Sequence, residues 1–156
     1  MSATIRALLA DDDDFFRRAF AARLRVAVPE VELTDRAAPD VSGRFDIYFL
    51  DNHFAAVPLA GDLAAAARLA NPTALIVALS GHLDADTLRR LINEGCNGAV
   101  MKGDSADMAR CFEVVRAYAA NLAPKPAGLG RTLRSITELI REWNQRLEKN
   151  IAAEVP

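Results

Sequence analysis

Cysteine is scarce in this chain: only Cys96 and Cys111 occur among 156 residues. Both lie in apolar stretches without metal-ligand spacing, so they read as free buried thiols in a reducing compartment. Long apolar runs are missing as well. None approaches the roughly 20 residues a membrane helix needs, and the opening Met-Ser-Ala-Thr-Ile-Arg carries no signal-peptide pattern. A cytoplasmic protein with no membrane role is expected. Nor is there an excess of charge of one sign, with 19 basic residues against 21 acidic ones. That balance argues against a protein that coats nucleic acid or an anionic membrane. Internal repeats are absent too. What the chain has is 51% hydrophobic residues, enough for the core of one ordinary domain and enough to exclude wholesale disorder.

Short apolar runs alternate with helical patterns, the signature of a parallel sheet with crossover helices. Strands are expected at residues 5–10, 31–34, 46–50, 74–79 and 98–101. Between them, Phe16, Phe20 and Leu24 recur at four-residue spacing in a helix that stops before Pro29. An alanine-rich helix at 62–70 ends at Asn71-Pro72, and Leu88, Leu91 and Ile92 share one side of a helix closed by Gly95. Asp104 or Ser105 caps a helix carrying Met108, Cys111, Phe112, Val115 and Ala119. Between Thr34 and Phe45 only about ten residues remain, broken by Pro39 and Gly43, so a helix there is shortened or absent. The expected domain is residues 1–123, followed by a Pro/Gly-rich linker at 124–130 and an amphipathic helix within 131–156. On that last helix Leu133, Ile136, Ile140, Trp143 and Leu147 form a 3-4-3-4 seam. It suits either another helix, giving a homodimer, or the domain's own surface.

Ligands of open parallel sheets bind beyond the carboxyl ends of the strands. The first strand ends in four aspartates, Asp11 to Asp14. Taken alone, the run reads first as a helix start, with Asp13 or Asp14 as the cap. The other reading is a seat for a hard divalent ion such as Mg²⁺, which would relieve the repulsion of crowded carboxylates. The third strand ends in Asp51-Asn52-His53, the fourth in Ser80-Gly81 and the fifth in Lys102-Gly103. Acids for a metal, a hydroxyl and an ammonium for phosphoryl oxygens, and a carboxylate able to act as nucleophile thus converge on one end of the sheet.

These strand-end motifs, Leu-Leu-Ala-Asp11-Asp12, Phe-Leu-Asp51, Ala-Leu-Ser80 and Val-Met-Lys102, resemble those of response-regulator receiver domains over about residues 4–122. The resemblance implies a flavodoxin-like five-stranded parallel sheet of order 2-1-3-4-5 with helices on both faces. It implies that Asp51 is the phosphoacceptor. Asp12 and Asp51 would bind Mg²⁺ directly, with the backbone carbonyl of His53 as a further ligand and Asp11 acting partly through water. Ser80 and Lys102 would each bind a phosphoryl oxygen. The implied partners are a histidine kinase or phosphotransfer protein and a downstream protein target. The implied output surface spans roughly residues 87–119.

The chain also departs from the family pattern. Ala99 stands where the family usually has a switching aromatic, Gly103 follows the lysine in place of proline, and Asn52-His53-Phe54 replaces the usual segment after the phosphoacceptor. A degenerate receiver that binds partners without phosphorylation is therefore the alternative. An enzyme resembling haloacid-dehalogenase phosphatases, with its Asp-x-Asp motif on Asp11 and Asp13, is a weaker third reading, and no enzymatic turnover of an external substrate is expected. His53 and His82 read as solvent-facing loop residues before metal ligands. The segment after Pro124 is too short for a helix-turn-helix module, so signalling without a DNA-binding domain is expected.

Overall fold

The computed structural model describes residues 4–122 and 129–153. The sheet strands are β1 (Ile5–Ala10), β2 (Val31–Arg36), β3 (Ile47–Asp51), β6 (Leu75–Ser80) and β7 (Gly98–Met101). They lie in the order β2-β1-β3-β6-β7, all neighbours parallel. This is the expected 2-1-3-4-5 order; the numbering is raised by two because β4 (His53–Phe54) and β5 (Val57–Pro58) form a small antiparallel hairpin after β3. Every residue of β3 and β6 is buried, as expected for central strands covered on both faces.

Side-chain alternation divides the core into two layers. Leu9, Ile47, Phe49, Val77 and Leu79 pack under α1 (Asp14–Ala27) and α4 (Ser105–Leu122) with Phe20, Leu24 and Phe112. Leu8, Tyr48, Leu50, Ile76 and Ala78 pack under α2 (Ala60–Ala70) and α3 (Ala85–Asn93) with Leu63, Leu88 and Leu91. Acids cap three of these helices. Asp13 accepts from the Phe16 N–H at 3.0 Å, Asp84 from Thr87 at 2.7 Å and Asp104 from Asp107 at 3.0 Å.

Residues 37–46 contain no helix. Pro39 interrupts the stretch, and Gly43 takes a left-handed φ of 100°. The loop is pinned instead. Arg36 donates to the carbonyls of Asp40 and Ser42, the Phe45 N–H donates to the Tyr48 hydroxyl, and Asn71 donates to the Phe45 carbonyl. Phe45 and Val41 enter the core where helix side chains would otherwise lie.

The last helix, α5, runs Leu129–Ala153. It begins two residues inside the segment read as a linker, because first-turn N–H groups need no intrahelical partner and Gly130 is tolerated there. Residues 124–128 lie outside the described residues. The α5 seam folds back on the chain's own domain: Ile136, Trp143, Leu147 and Ile151 are all buried, and Leu139 and Ile140 pack beside them. No helix among the described residues is long and apolar enough to cross a membrane.

The β4–β5 hairpin turns on Ala55 and Ala56, which adopt φ of 48° and 66°. A two-residue turn with both residues left-handed normally draws Asn-Gly, since a Cβ there costs about 1–2 kcal/mol. Replacing Ala56 by glycine relieves that strain and gives back part of it as unfolded-chain entropy. The net expectation is a gain of about 0.5–1 kcal/mol in urea unfolding. A loss of stability in A56G would show that this turn is not the populated one.

Candidate functional site

The four aspartates have four different tasks. β1 ends in the core, so Asp11 is fully buried, and its Oδ1 accepts from the Asp13 N–H at 2.9 Å. Asp12 is exposed and its Oδ2 accepts from Ala55 N–H at 3.3 Å, which links it to the hairpin. Asp13 is the α1 cap. Asp14 pairs with Arg17. Arg17 also donates to the Asp11 carbonyl at 2.7 Å and to Asp35 at 3.1 Å, clamping the first turn of α1 to the ends of β1 and β2.

Asp51, at the end of β3, is 4% exposed, and carboxylate oxygens of Asp11, Asp12 and Asp51 lie within 4.8 Å of one another. Neither histidine joins this group. Lys102, just past β7, places its Nζ 2.7 Å from Asp11 Oδ2 and 3.2 Å from Asp51 Oδ1. The same ammonium lies 4.6 Å from the centre of the Phe16 ring, which holds the stem in place. Burial, and then the charge of Asp11, pushes the Asp51 carboxyl up to about 6, against the opposing pull of Lys102 and the His53 N–H. Burial alone would lower the Lys102 pKa, but its bond to Asp11 and the charges of Asp11 and Asp51 carry it above its ordinary value.

Three formal negative charges thus face one ammonium. An all-oxygen cluster with surplus negative charge is the donor set a hard divalent ion requires, so the residues present fit Mg²⁺. The hairpin contributes too. The Leu59 N–H donates to the Asn52 carbonyl, and His53 stands opposite Pro58, which has no N–H to engage the His53 carbonyl. The His53 N–H donates to Asp51 Oδ1 at 3.4 Å.

Of the residues expected to act through their side chains, Ser80 is the one not joined to the acids. It is fully buried, and its hydroxyl donates to the His82 carbonyl. Its backbone carbonyl accepts from the Lys102 N–H at 2.9 Å, and it stands in register with Met101. Ala99 is fully buried beside Ala78, where no ring exists to turn. Both cysteines are buried and free, and burial pushes the Cys96 thiol up to about 12.

Three features escaped the reading of the sequence. No turn signal marks Ala55-Ala56. Nothing in the residue pattern singles out Arg17. Asp107 is 2% exposed within α4, its Oδ2 accepting from Met101 N–H at 2.8 Å and its Oδ1 from Trp143 Nε1 at 3.0 Å. An acid among the apolar positions of α4 was the available signal for the last of these.

No family model matches the sequence, and neither does any curated protein. Solved structures do match the fold. The BeF3-activated receiver domain of DrrB, a Thermotoga maritima protein, is 12% identical, with a TM-score of 0.61, over 77% of this chain and 97% of that one. A response regulator from Burkholderia pseudomallei, solved with a phosphorylated aspartic acid, a calcium ion and citrate, is 17% identical with a TM-score of 0.56. That match covers 97% of this chain and 75% of that one. A CheY-like receiver domain protein from Methanospirillum hungatei is 15% identical, with a TM-score of 0.55, over 92% of this chain and 99% of that one. With the sheet order, the strand-end acids and these likenesses in hand, the fold of this chain is that of the response-regulator receiver domains.

Proposed function

We propose that this protein is a phosphoacceptor of two-component signalling that takes a phosphoryl group onto Asp51 from a phosphohistidine of a histidine kinase or phosphotransfer protein. The observation that carries the reading is the Asp51–Lys102–Asp11 contact, in which a buried carboxylate faces an ammonium at 3.2 Å inside an acidic cluster. The phosphorylated aspartic acid of the Burkholderia pseudomallei protein and the BeF3-activated state of DrrB supply precedent for chemistry at such a site.

An Asp51 oxygen attacks the phosphorus as the bond to the donor nitrogen breaks, giving an acyl phosphate. Lys102 offsets charge on the transferring oxygens, and its contact with Phe16 keeps it oriented. The Ser80 hydroxyl exchanges the His82 carbonyl for a phosphoryl oxygen. Asp12 and Asp51, with the His53 carbonyl, would hold Mg²⁺ directly and Asp11 partly through water; when bound it would supply charge neutralisation at the phosphoryl group. Water later hydrolyses the acyl phosphate, so the protein turns over no external substrate beyond its own phosphotransfer and dephosphorylation. It acts in the cytoplasm and signals through protein contacts. The second reading, a receiver fold that binds partners without phosphorylation, draws its support from Ala99.

Acetyl phosphate with Mg²⁺ separates the two. The intact mass should rise by one phosphoryl group in the parent protein and stay unchanged in Asp51→Asn. No mass gain across pH and donor concentration favours the phosphorylation-independent module.

A further inference from the structure

The receiver core has a helix laid across one flank. α5 covers the face formed by α3, β7 and α4, with Leu147 and Ile151 buried in the layer that holds Leu88, Leu91, Cys96 and Ala99. Trp143 sits over Gly98 so closely that a Cβ at that position would lie 2.3 Å from the indole ring. Beside it, Asn144 Nδ2 donates to the Asn97 carbonyl at 2.9 Å. These contacts form a fitted seat: a glycine under an aromatic ring, a buried acid aimed at its N–H, and an apolar trough for the next two turns.

The seat is joined to the phosphorylation site by a short covalent and hydrogen-bonded path. Lys102 holds Asp11 and Asp51, and its N–H donates to Ser80 O. Met101, its neighbour, stands in register with Ser80 and donates its N–H to Asp107. Asp107 in turn accepts from Trp143 Nε1. The two residues expected to grip a phosphoryl oxygen, Ser80 and Lys102, therefore both act on Met101, one of the two donors that hold a buried carboxylate.

We propose that α5 is the resident occupant of a helix-binding face on α3, β7 and α4, and that phosphorylation of Asp51 releases it, with Trp143 reporting the state that Ala99 cannot. The proposal rests on the phosphoacceptor reading of Asp51. Phosphorylation exchanges the single carboxylate charge of Asp51 for the nearly two of a phosphoryl group beside Asp11, and draws Lys102 and Ser80 toward it. A shift of β7 weakens the Met101–Asp107 bond. A buried carboxylate stripped of a donor favours whatever exposes it to water, and undocking α5 does so. The vacated face then suits a protein partner of defined chemistry: an amphipathic helix with a tryptophan to donate to Asp107 and aliphatic residues four and eight positions further on, as α5 itself has in Leu147 and Ile151.

Trp143 is the single tryptophan of the chain, so its fluorescence reads docking directly. The full chain is treated with acetyl phosphate and Mg²⁺ while intact mass and tryptophan emission are followed together. The expected result is a red shift and stronger acrylamide quenching that grow in step with the mass gain and are absent in Asp51→Asn. Gly98→Ala, which drives the ring from its seat, should show the shifted emission without any phosphodonor and still gain mass. A full mass gain with unchanged emission overturns the release while leaving the phosphoacceptor reading intact. An emission shift without mass gain overturns the link to phosphorylation. No mass gain at all overturns the phosphoacceptor reading and this proposal with it.

Discussion

Asp51→Asn is expected to make the metal-free protein more stable at neutral pH, by up to about 3 kcal/mol, while ending phosphoryl uptake. The Asp51 carboxyl is pushed up to about 6 by burial and by Asp11. In the unfolded chain it ionises near 4. Between those values the folded state holds the proton more tightly than the unfolded one, so folding stability falls as pH rises from about 4 to about 6, by about 1.4 kcal/mol per unit. Above that window the penalty is fully present; below it the penalty is absent. Asparagine carries no ionisable proton, and Lys102 keeps its 2.7 Å pair with Asp11 in the variant. Urea unfolding in chelator from pH 4 to 8 should show the two proteins converging at the acid end and separating toward neutrality. Saturating Mg²⁺ should close most of the gap, since a ligand at 100 times its Kd adds about 2.7 kcal/mol to a folded state that binds it. A variant less stable than the parent at pH 7, or a gap that does not move with pH, would sink the idea that Asp51 is held charged at a cost.

A cost of this kind is characteristic of functional sites. Asp11 and Asp51 are buried in a core that could have packed apolar residues at the same positions, and one lysine serves both. A fold under selection for stability alone has no use for such an arrangement. Arg17 and the Asp13 cap add rigidity around it: α1 begins where the acids stand and is tied to the ends of β1 and β2. The site is therefore preorganised by the first turn of a helix rather than by a free loop.

Much of this was legible in the residue pattern, for identifiable reasons. β3 and β6 are continuous apolar runs, and continuous runs ending in polar residues specify both a buried strand and which residue emerges from its end. Asp51 followed from that rule; Asp11, Asp12 and Lys102 needed the strand ends taken together, since the aspartate run alone read first as a helix start. The loss of a helix between β2 and β3 followed from Pro39 and Gly43. The hairpin did not, because its turn uses two alanines in a conformation that sequence statistics give to glycine and asparagine. The role of Asp107 did not either, since its two donors come from 6 and 36 residues away. Periodicity on α5 located the apolar face, with Trp143 at its centre, but periodicity describes a helix by itself and is silent on what covers it. The answer lay in Gly98, a residue that looked like an ordinary strand start and is the clearance the indole requires.

Lys102→Ala is expected to slow phosphorylation of Asp51 by about 10²–10³-fold, the usual cost of removing a fixed charge stabiliser worth about 3–4 kcal/mol in the transition state. Two effects act together. The first is loss of the ammonium that lies 3.2 Å from the nucleophilic carboxylate and would meet the transferring oxygens. The second is a change in the nucleophile itself. Lys102 pulls the Asp51 pKa down, so without it the carboxyl rises further above about 6 and a larger share is protonated at neutral pH. Only the ionised form attacks. The rate defect should therefore shrink as pH is raised, and the part that remains at high pH measures the direct effect on the phosphoryl group. Lys102→Arg keeps the charge on a longer, planar head that fits the narrow space beside Phe16 less well, and partial recovery is expected. Initial rates of mass gain from acetyl phosphate at fixed Mg²⁺, measured from pH 6 to 9 for the parent and both variants, provide the comparison. A Lys102→Ala rate within about twofold of the parent would remove this lysine from the chemistry and leave the Asp11 pair as its whole purpose.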